Sequence, residues 1–137
     1  MASQVFDVSE LDNFARSMSR TAQSIQKKQK SFLRKEGTKL KTRTVREARK
    51  IGKKSGKYLK SIKRGKVYTY DGALAIRTYS AAPHAHLIDN GHRMVTHDGH
   101  EVGFVRGYHV FENAGKDFEP QYQRDVEDFL DEEVEQL

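Results

Sequence analysis

Apolar residues recur at three- and four-residue steps along the first third of the chain. The series starts after Ser9 and Asp12, which resemble a helix cap with an acidic first turn, and it continues past Gly37. This spacing predicts an amphipathic helical arm over about residues 8–52. Its apolar positions are Leu11, Phe14, Ala15, Met18, Ala22, Ile25, Phe32, Leu33, Leu40, Val45, Ala48 and Ile51.

The predicted arm is longer than a compact domain of this size. At ~1.5 Å per residue, a helix from Ser9 to Ile51 would be about 65 Å long, whereas a domain of 137 residues is roughly 35 to 40 Å across. The helix must therefore break or protrude. Gly37 is the expected break, because a glycine inside a helix costs about 1 kcal/mol relative to alanine. A break predicts a helical hairpin, and an unbroken helix predicts an arm that reaches a neighbouring subunit. Both remain open.

Two Asp-Gly dipeptides mark tight turns in the middle of the chain. Asp71-Gly72 and Asp98-Gly99 each lie between short segments in which apolar and polar residues alternate. The pattern predicts two hairpins that form a small antiparallel sheet. A short connector that begins at Pro83 joins them.

Helical spacing returns after Val110 and continues to the end of the chain. Pro120 disfavours helix at Glu119, so a kink or a restart is expected there. The prediction is an α+β protein with a single domain over residues 1–137, in which the arm is followed by a sheet core and a C-terminal helix packed on the sheet over about 56–137. The apolar positions of the last helix are Phe111, Ala114, Phe118, Tyr122, Val126, Phe129, Leu130, Val134 and Leu137.

Composition narrows the chemistry. The chain contains no cysteine, which excludes disulfides, thiolate zinc sites and cysteine nucleophiles. No run of about 18 apolar residues occurs, so a soluble protein without membrane contact is expected. The sequence also has no G-x-S-x-G, H-E-x-x-H or phosphate-cradling glycine motif. We therefore expect a protein that is not an enzyme and needs no cofactor.

Charge divides the sequence into two parts of opposite sign. Residues 1–66 carry 20 Lys and Arg against 5 Asp and Glu, whereas residues 67–137 carry 5 against 14. The two parts could attract each other within a chain or between subunits, or the basic part could bind nucleic acid. The basic face of the arm includes Lys27, Lys28, Lys30, Arg34, Lys35, Arg46, Arg49 and Lys50. The acidic face of the last helix includes Asp125, Glu127, Asp128, Asp131, Glu132, Glu133 and Glu135.

The six histidines are confined to one stretch of the chain. A transition-metal site needs three or four converging ligands, and His92, His97 and His100 with a neighbouring aspartate could in principle supply them. On a strand, however, His92 and His97 face opposite sides of the sheet, so at most two of the three converge. Exposed turn and strand-edge histidines are the favoured interpretation, and a metal-dependent hydrolase is the weaker alternative. The six are His84, His86, His92, His97, His100 and His109.

The histidine-containing stretch resembles the central motif of the siphophage minor tail or tail-completion family. That family is named for gene product ten of a lambdoid phage and is grouped with head-tail joining proteins. The resemblance is carried by "APHAHL", by the acidic residue, glycine and hairpin that follow it, and by the residues that lead into the last helix. Upstream, "SGKYLKSI" (55–62) matches a further motif of the family. The residues assigned to this structural motif are Pro83, His86, Leu87, Asp89, Gly91, Gly103, Phe104, Gly107, Phe111 and Ala114.

The resemblance implies a structural virion protein of a tailed bacteriophage or prophage. Such a protein would be assembled in the host cytoplasm and would lie at the neck, where it helps to join the completed tail to the DNA-filled head. Its expected partners are the tail terminator and the head-completion protein. The resemblance also implies a homo-oligomeric ring, with six as the expected number of subunits. In this interpretation the motif is architectural and the histidines have no chemical role.

A ring would allow the basic arm of one subunit to lie against the acidic last helix of the next. The alternative is that the basic face meets DNA in the lumen. A small basic nucleic-acid-binding protein remains the rival function, because clustered Lys and Arg on a helix are the electrostatic footprint of phosphate binding. The residues of the hypothetical subunit interface are Lys27, Lys28, Arg34, Lys35, Arg46, Arg49, Asp128, Asp131, Glu132 and Glu135.

Overall fold

The computed structural model describes residues 7–52, 56–83 and 85–136, without the side chains of His92, Val102 and Val105. The motif positions Ser55 and His84 and the helix position Leu137 lie outside this range. The α+β class, with a long N-terminal helix, antiparallel hairpins and a C-terminal helix, is confirmed. The elements in chain order are α1 (Ser9–Arg49), α2 (Gly56–Ser61), β1 (Ile62–Arg64), β2 (Tyr68–Tyr70), β3 (Ala73–Ala75), β4 (Thr78–Ser80), α3 (Ala85–Asn90), β5 (Gly91–Val95), β6 (Glu101–Arg106) and α4 (Val110–Glu135).

Helix α1 is continuous over 41 residues, which corresponds to about 60 Å. Gly37 does not break it, so the helical-hairpin alternative is wrong. Instead Gly37 is buried where the first hairpin crosses the helix: a Cβ atom there would lie 2.9 Å from Ile76 Cδ1 and 3.0 Å from Arg64 Cγ. The glycine allows the hairpin to approach the helix closely, and this packing outweighs its poor helix propensity.

Helix α4 packs antiparallel along α1. Phe32 stacks on Phe129 with ring centroids 4.8 Å apart, and Phe118 is buried in the same contact. The sequence predicted the sheet as the support of this helix, but α1 provides the larger contact. Two-stranded hairpins offer little surface, whereas α1 presents a matching apolar stripe. Pro120 lies inside α4 without ending it.

Both predicted Asp-Gly turns are confirmed, but they do not build one sheet. Strands β2 and β3 pair around Asp71-Gly72, and β1 and β4 continue the same hairpin further from the turn. Between the two ladders the Gly65 N–H donates to the carbonyl of Arg77 at 2.8 Å. Strands β5 and β6 form the second hairpin, around Asp98-Gly99. Across the described residues these are separate two-stranded ladders.

The buried core lies at the C-terminal end of α1. Ala48, Tyr58, Ile62 and Val110 form its centre, so four elements meet there: α1, α2, β1 and the start of α4. Partly buried apolar residues surround this centre. None of the described helices is both long enough and apolar enough to span a bilayer.

Candidate functional site

The motif from the sequence analysis builds a junction between α3 and α4, which we define as Ile88–Gly91 together with 107–111. The backbone N–H groups of Tyr108 and His109 donate to the carbonyls of Ile88 and Asp89, at 3.0 and 2.8 Å. The Asp89 carboxylate accepts the N–H of Phe111 at 3.3 Å. That amide is in the first turn of α4, where N–H groups lack partners within the helix. A carboxylate there also interacts favourably with the helix dipole.

Two glycines make the junction sterically possible. Gly91 has a φ of +84°, in the left-handed region that other residues disfavour. Gly107 lies against backbone: a Cβ atom there would be 2.4 Å from the carbonyl oxygen of Asp89 and 2.5 Å from the amide nitrogen of Gly91. Only a hydrogen atom fits at Gly107. The turn into α4 is completed by His109, which adopts a φ of 51°.

The junction is anchored to the core through neighbouring side chains. Ala114 is fully buried, and Phe111 packs against the core cluster. Tyr58 is buried beside the junction, and burial, followed by the negative charge of Asp89, raises the pKa of Tyr58 to about 12. Its hydroxyl has no hydrogen-bond partner among the described residues. The Tyr58 phenol therefore stays neutral and acts in packing.

Other members of the motif lie outside the junction. Leu87 is half-buried on α3, whereas Pro83 and His86 are exposed. Gly103 and Phe104 belong to the second hairpin, where Phe104 is 62% exposed. The structure thus divides the predicted motif into a packed junction and a set of exposed positions.

The four histidines whose side chains the structure describes do not assemble into a centre. His86, His97, His100 and His109 are exposed, and His97 lies in the turn of the second hairpin. His109 Nδ1 lies 3.6 Å from a carboxylate oxygen of Glu112. Within the described residues no three His, Asp or Glu side chains are grouped closely enough to hold a metal ion.

The opposite charges of α1 and α4 meet within one chain. Lys28 contacts Glu133 at 3.5 Å and also donates to Gln136. Further along α1, Lys39 pairs with Asp125 at 2.8 Å. Closer to the core, Arg43 donates to the Asp117 carboxylate, to the Asp117 carbonyl and to Gln121.

This pairing uses only part of the hypothetical subunit interface. Lys28 is occupied by α4 of its own chain, and Lys35, Asp128 and Glu132 line the groove between the two helices. The other six positions are exposed, so their role between subunits stays a prediction. They are Lys27, Arg34, Arg46, Arg49, Asp131 and Glu135.

Glu36 is a buried acid in the centre of this helix pair. Burial raises the pKa of Glu36 to about 7, and the hydrogen bond with Asp125 is the next largest cause. Lys39, whose Nζ lies 3.4 Å from a Glu36 carboxylate oxygen, opposes this shift. The hydrogen bond from Lys39 holds the pKa of Asp125 below its usual value. Sequence analysis missed Glu36, although a signal exists: it shares the apolar face of α1 with Phe32, Leu33 and Leu40.

A second surface that the sequence analysis missed lies on the first hairpin. Tyr68, Tyr70 and Tyr79 are exposed there. The Arg77 guanidinium lies 5.1 Å from the centre of the Tyr79 ring. Lys66 lines the same shallow depression. We call these five residues the tyrosine surface. The Arg77 guanidinium lies over the Tyr79 ring in a cation–π contact, so a positive charge and an exposed aromatic ring lie side by side on this surface.

The described residues define an α+β protein with a long helix whose N-terminal end is exposed, a junction between α3 and α4, and two hairpins. The sequence model of one family, HK97-gp10-like, described as "Bacteriophage HK97-gp10, putative tail-component", matches residues 12–91. More than half of the chain is matched, from α1 to Gly91, so the chain belongs to this family and is a bacteriophage tail component. Comparison with curated proteins and with solved structures gave no match.

Substitution of Gly107 tests the junction. Gly107→Ala places a methyl group against backbone that cannot move away, so we expect the free energy of unfolding to fall by about 3 kcal/mol or more. Gly115→Ala is the matched control, because nothing lies within 4 Å of its Cβ position in α4. That variant should gain up to about 1 kcal/mol. Urea unfolding measures both, and equal stability of the two variants would contradict the steric role of Gly107.

Substitution of Glu36 tests the buried acid. Because its pKa is raised from 4.5 to about 7, the protonated form favours folding, and this contribution is lost as the pH rises through 7. Glu36→Gln should match the wild type at pH 4 and be more stable at pH 8, by at most about 3 kcal/mol at 1.36 kcal/mol per pKa unit. Denaturant midpoints at the two pH values measure the difference.

Glu112→Gln is the control for this pH dependence. The hydrogen bond from Lys116 holds the pKa of Glu112 below its usual value. The ionised form of Glu112 therefore favours folding, and its removal should give no gain at pH 8. A difference between Glu36→Gln and the wild type that does not change with pH would rule out a titrating Glu36.

Proposed function

We propose that this tail component acts in tail completion at the neck and helps to join the tail to the DNA-filled head. The observation that carries the proposal is the family match over α1, α2, the first hairpin and α3. The motif between Pro83 and Ala114, which resembles tail-completion proteins, supports it. The proposed partners are the tail terminator and the head-completion protein, and the proposed assembly is a ring of identical subunits. We further propose that the protein has no catalytic activity.

The geometry suits a connecting role. The junction fixes the start of α4 relative to α3 through two backbone hydrogen bonds and one carboxylate cap. Helix α4 is then clamped along α1 by the cross-helix contacts of Lys28, Lys39 and Arg43. A rigid body of this kind can transmit the position of one neighbour to another, while its exposed surfaces make the contacts.

Removal of the gene tests the proposal. We expect lysates of the deletion phage to contain DNA-filled heads and formed tails that are unjoined or defective, as seen by electron microscopy. A wild-type copy on a plasmid should restore joined particles, whereas a Gly107→Ala copy should not, because its junction cannot form. Normal infectious particles from the deletion phage would contradict the proposed function.

The tyrosine surface favours a second candidate function, contact with single-stranded DNA. Tyr68, Tyr70 and Tyr79 provide exposed rings on one hairpin, with Lys66 and Arg77 between them. Single-stranded nucleic acid is bound by this combination, in which bases stack on aromatic rings and cations contact phosphates. The nearby exposed Lys63 extends the positive charge.

Binding of a labelled oligonucleotide tests this second function. At low salt, Tyr70→Ala should weaken binding of a strand of about 12 nucleotides by about fivefold or more, since stacking contributes ~1–3 kcal/mol per base. Tyr108→Ala is the control, because Tyr108 is also exposed but lies outside the tyrosine surface. Equal losses in both variants, or wild-type binding that does not respond to salt, would exclude this site.

A further inference from the structure

The first 16 residues of α1 extend beyond the rest of the described structure. Lys28 is the first α1 residue that bonds to side chains at the end of α4, and Arg20, Thr21 and Ser24 border the same end. Residues 9–24 therefore form a protruding end, about 22 Å long at ~1.5 Å per residue. Every residue in it is exposed. Leu11, Phe14 and Met18 lie on one side of it, at 67%, 65% and 56% exposure.

A groove of matching length follows the protruding end along α1 and begins at Gln26 and Gln29. Its floor is α1, one wall is the first hairpin, and the other wall is α4 from Gly115 to Leu130, again about 22 Å. It consists of two adjoining cavities of about 430 and 520 Å³. The apolar side chains that line it include Leu33, Leu74, Ile76, Phe118, Tyr122, Val126 and Leu130.

The protruding end cannot enter the groove of its own chain. It belongs to the same unbroken helix that forms the groove floor, and it points away from the groove past the last turn of α4. Among the described residues, nothing covers either the apolar helical stripe or the open apolar groove, and exposed apolar surfaces of this kind mark contact sites. A second copy of the chain brings the two surfaces together.

Charge also matches when the protruding end runs parallel to α4. With Leu11 level with Tyr122, Met18 lies level with Phe129 and beside Leu130. In the same register Arg16 and Arg20 lie level with Glu127 and Asp131. These four charged side chains are exposed. Arg16 and Arg20 lie on the side of the helix opposite the apolar stripe. When the stripe faces the groove, they therefore share the outward side with Glu127 and Asp131, where opposite charges at the same levels attract.

We propose that the protruding end of one copy, residues 9–24, docks in the groove between α4 and the first hairpin of another copy. In this register the two α1 helices run antiparallel, because α4 is antiparallel to α1 within each chain. The protruding end of each copy therefore lies along the groove of the other, and the contact closes as a two-fold dimer. The inference rests on the self-association that forms part of the proposed function. It identifies the contact that joins one subunit to the next.

Sedimentation velocity of the purified full chain tests the docking. The wild type should form dimers that dissociate on dilution. A triple variant, Leu11→Ser with Phe14→Ser and Met18→Ser, should be monomeric with an unchanged melting temperature, since the three side chains are exposed. Leu130→Arg should also be monomeric, because it places a charge in the apolar groove beside the position of Met18.

Mixing the two variants gives the decisive result. The triple variant keeps an intact groove and the Leu130→Arg variant keeps an intact protruding end, so an equal mixture should form dimers through the one contact that remains. Val95→Ser is the matched control, because Val95 is equally exposed on the second hairpin, and it should assemble like the wild type. A monomeric wild type, variants that assemble normally, or a mixture that stays monomeric would each overturn the proposal. These measurements need only purified protein. Their failure would overturn the docking contact, whereas the proposed role in tail joining is tested by electron microscopy of the deletion phage.

Discussion

The fold depends on how much of the 41-residue helix α1 the rest of the chain can cover. Helix α4 spans 26 residues, so its antiparallel contact can cover only part of α1. That contact begins near Lys28 and ends near the core, where the first hairpin also crosses at Gly37. The part of α1 from residue 9 to residue 24 is left exposed. A shorter α1 would have no protruding end, and a longer α4 would bury it within the chain.

The features that depend on local sequence could be predicted. The Asp-Gly dipeptides determine tight turns by their own backbone preferences, so both hairpins were located correctly. Features that depend on tertiary contact could not. The interpretation of Gly37 as a break used its helix propensity of about 1 kcal/mol, which the close approach of Ile76 and Arg64 outweighs. The support of α4 was also assigned incorrectly, because an apolar stripe does not reveal which surface it faces.

The candidate site shows the same division between local and tertiary information. The family resemblance identified Asp89, Gly91 and Gly107 in the sequence. Only the structure shows that the Asp89 carboxylate caps α4 and that backbone atoms fill the space around Gly107. The basic first half and the acidic second half of the sequence could pair within one chain or between two chains, because either arrangement brings opposite charges together. Distance resolves part of this choice: Lys39 and Asp125 lie 2.8 Å apart in one chain. Glu36 is buried beside them with a raised pKa, so the stability of the helix pair depends on pH.

Folding and association of this chain are connected through its uneven burial. Buried apolar residues cluster near the junction, whereas Leu11, Phe14 and Met18 of the protruding end and Leu130 of the groove remain exposed. Burial of those surfaces against another copy would add to the stability of the folded chain, because a partner that binds only the native state shifts the folding equilibrium towards it. The junction holds the groove wall in place through the start of α4. The groove exists only while α4 is correctly positioned. A substitution at Gly107 would therefore weaken the subunit contact, although Gly107 does not line the groove.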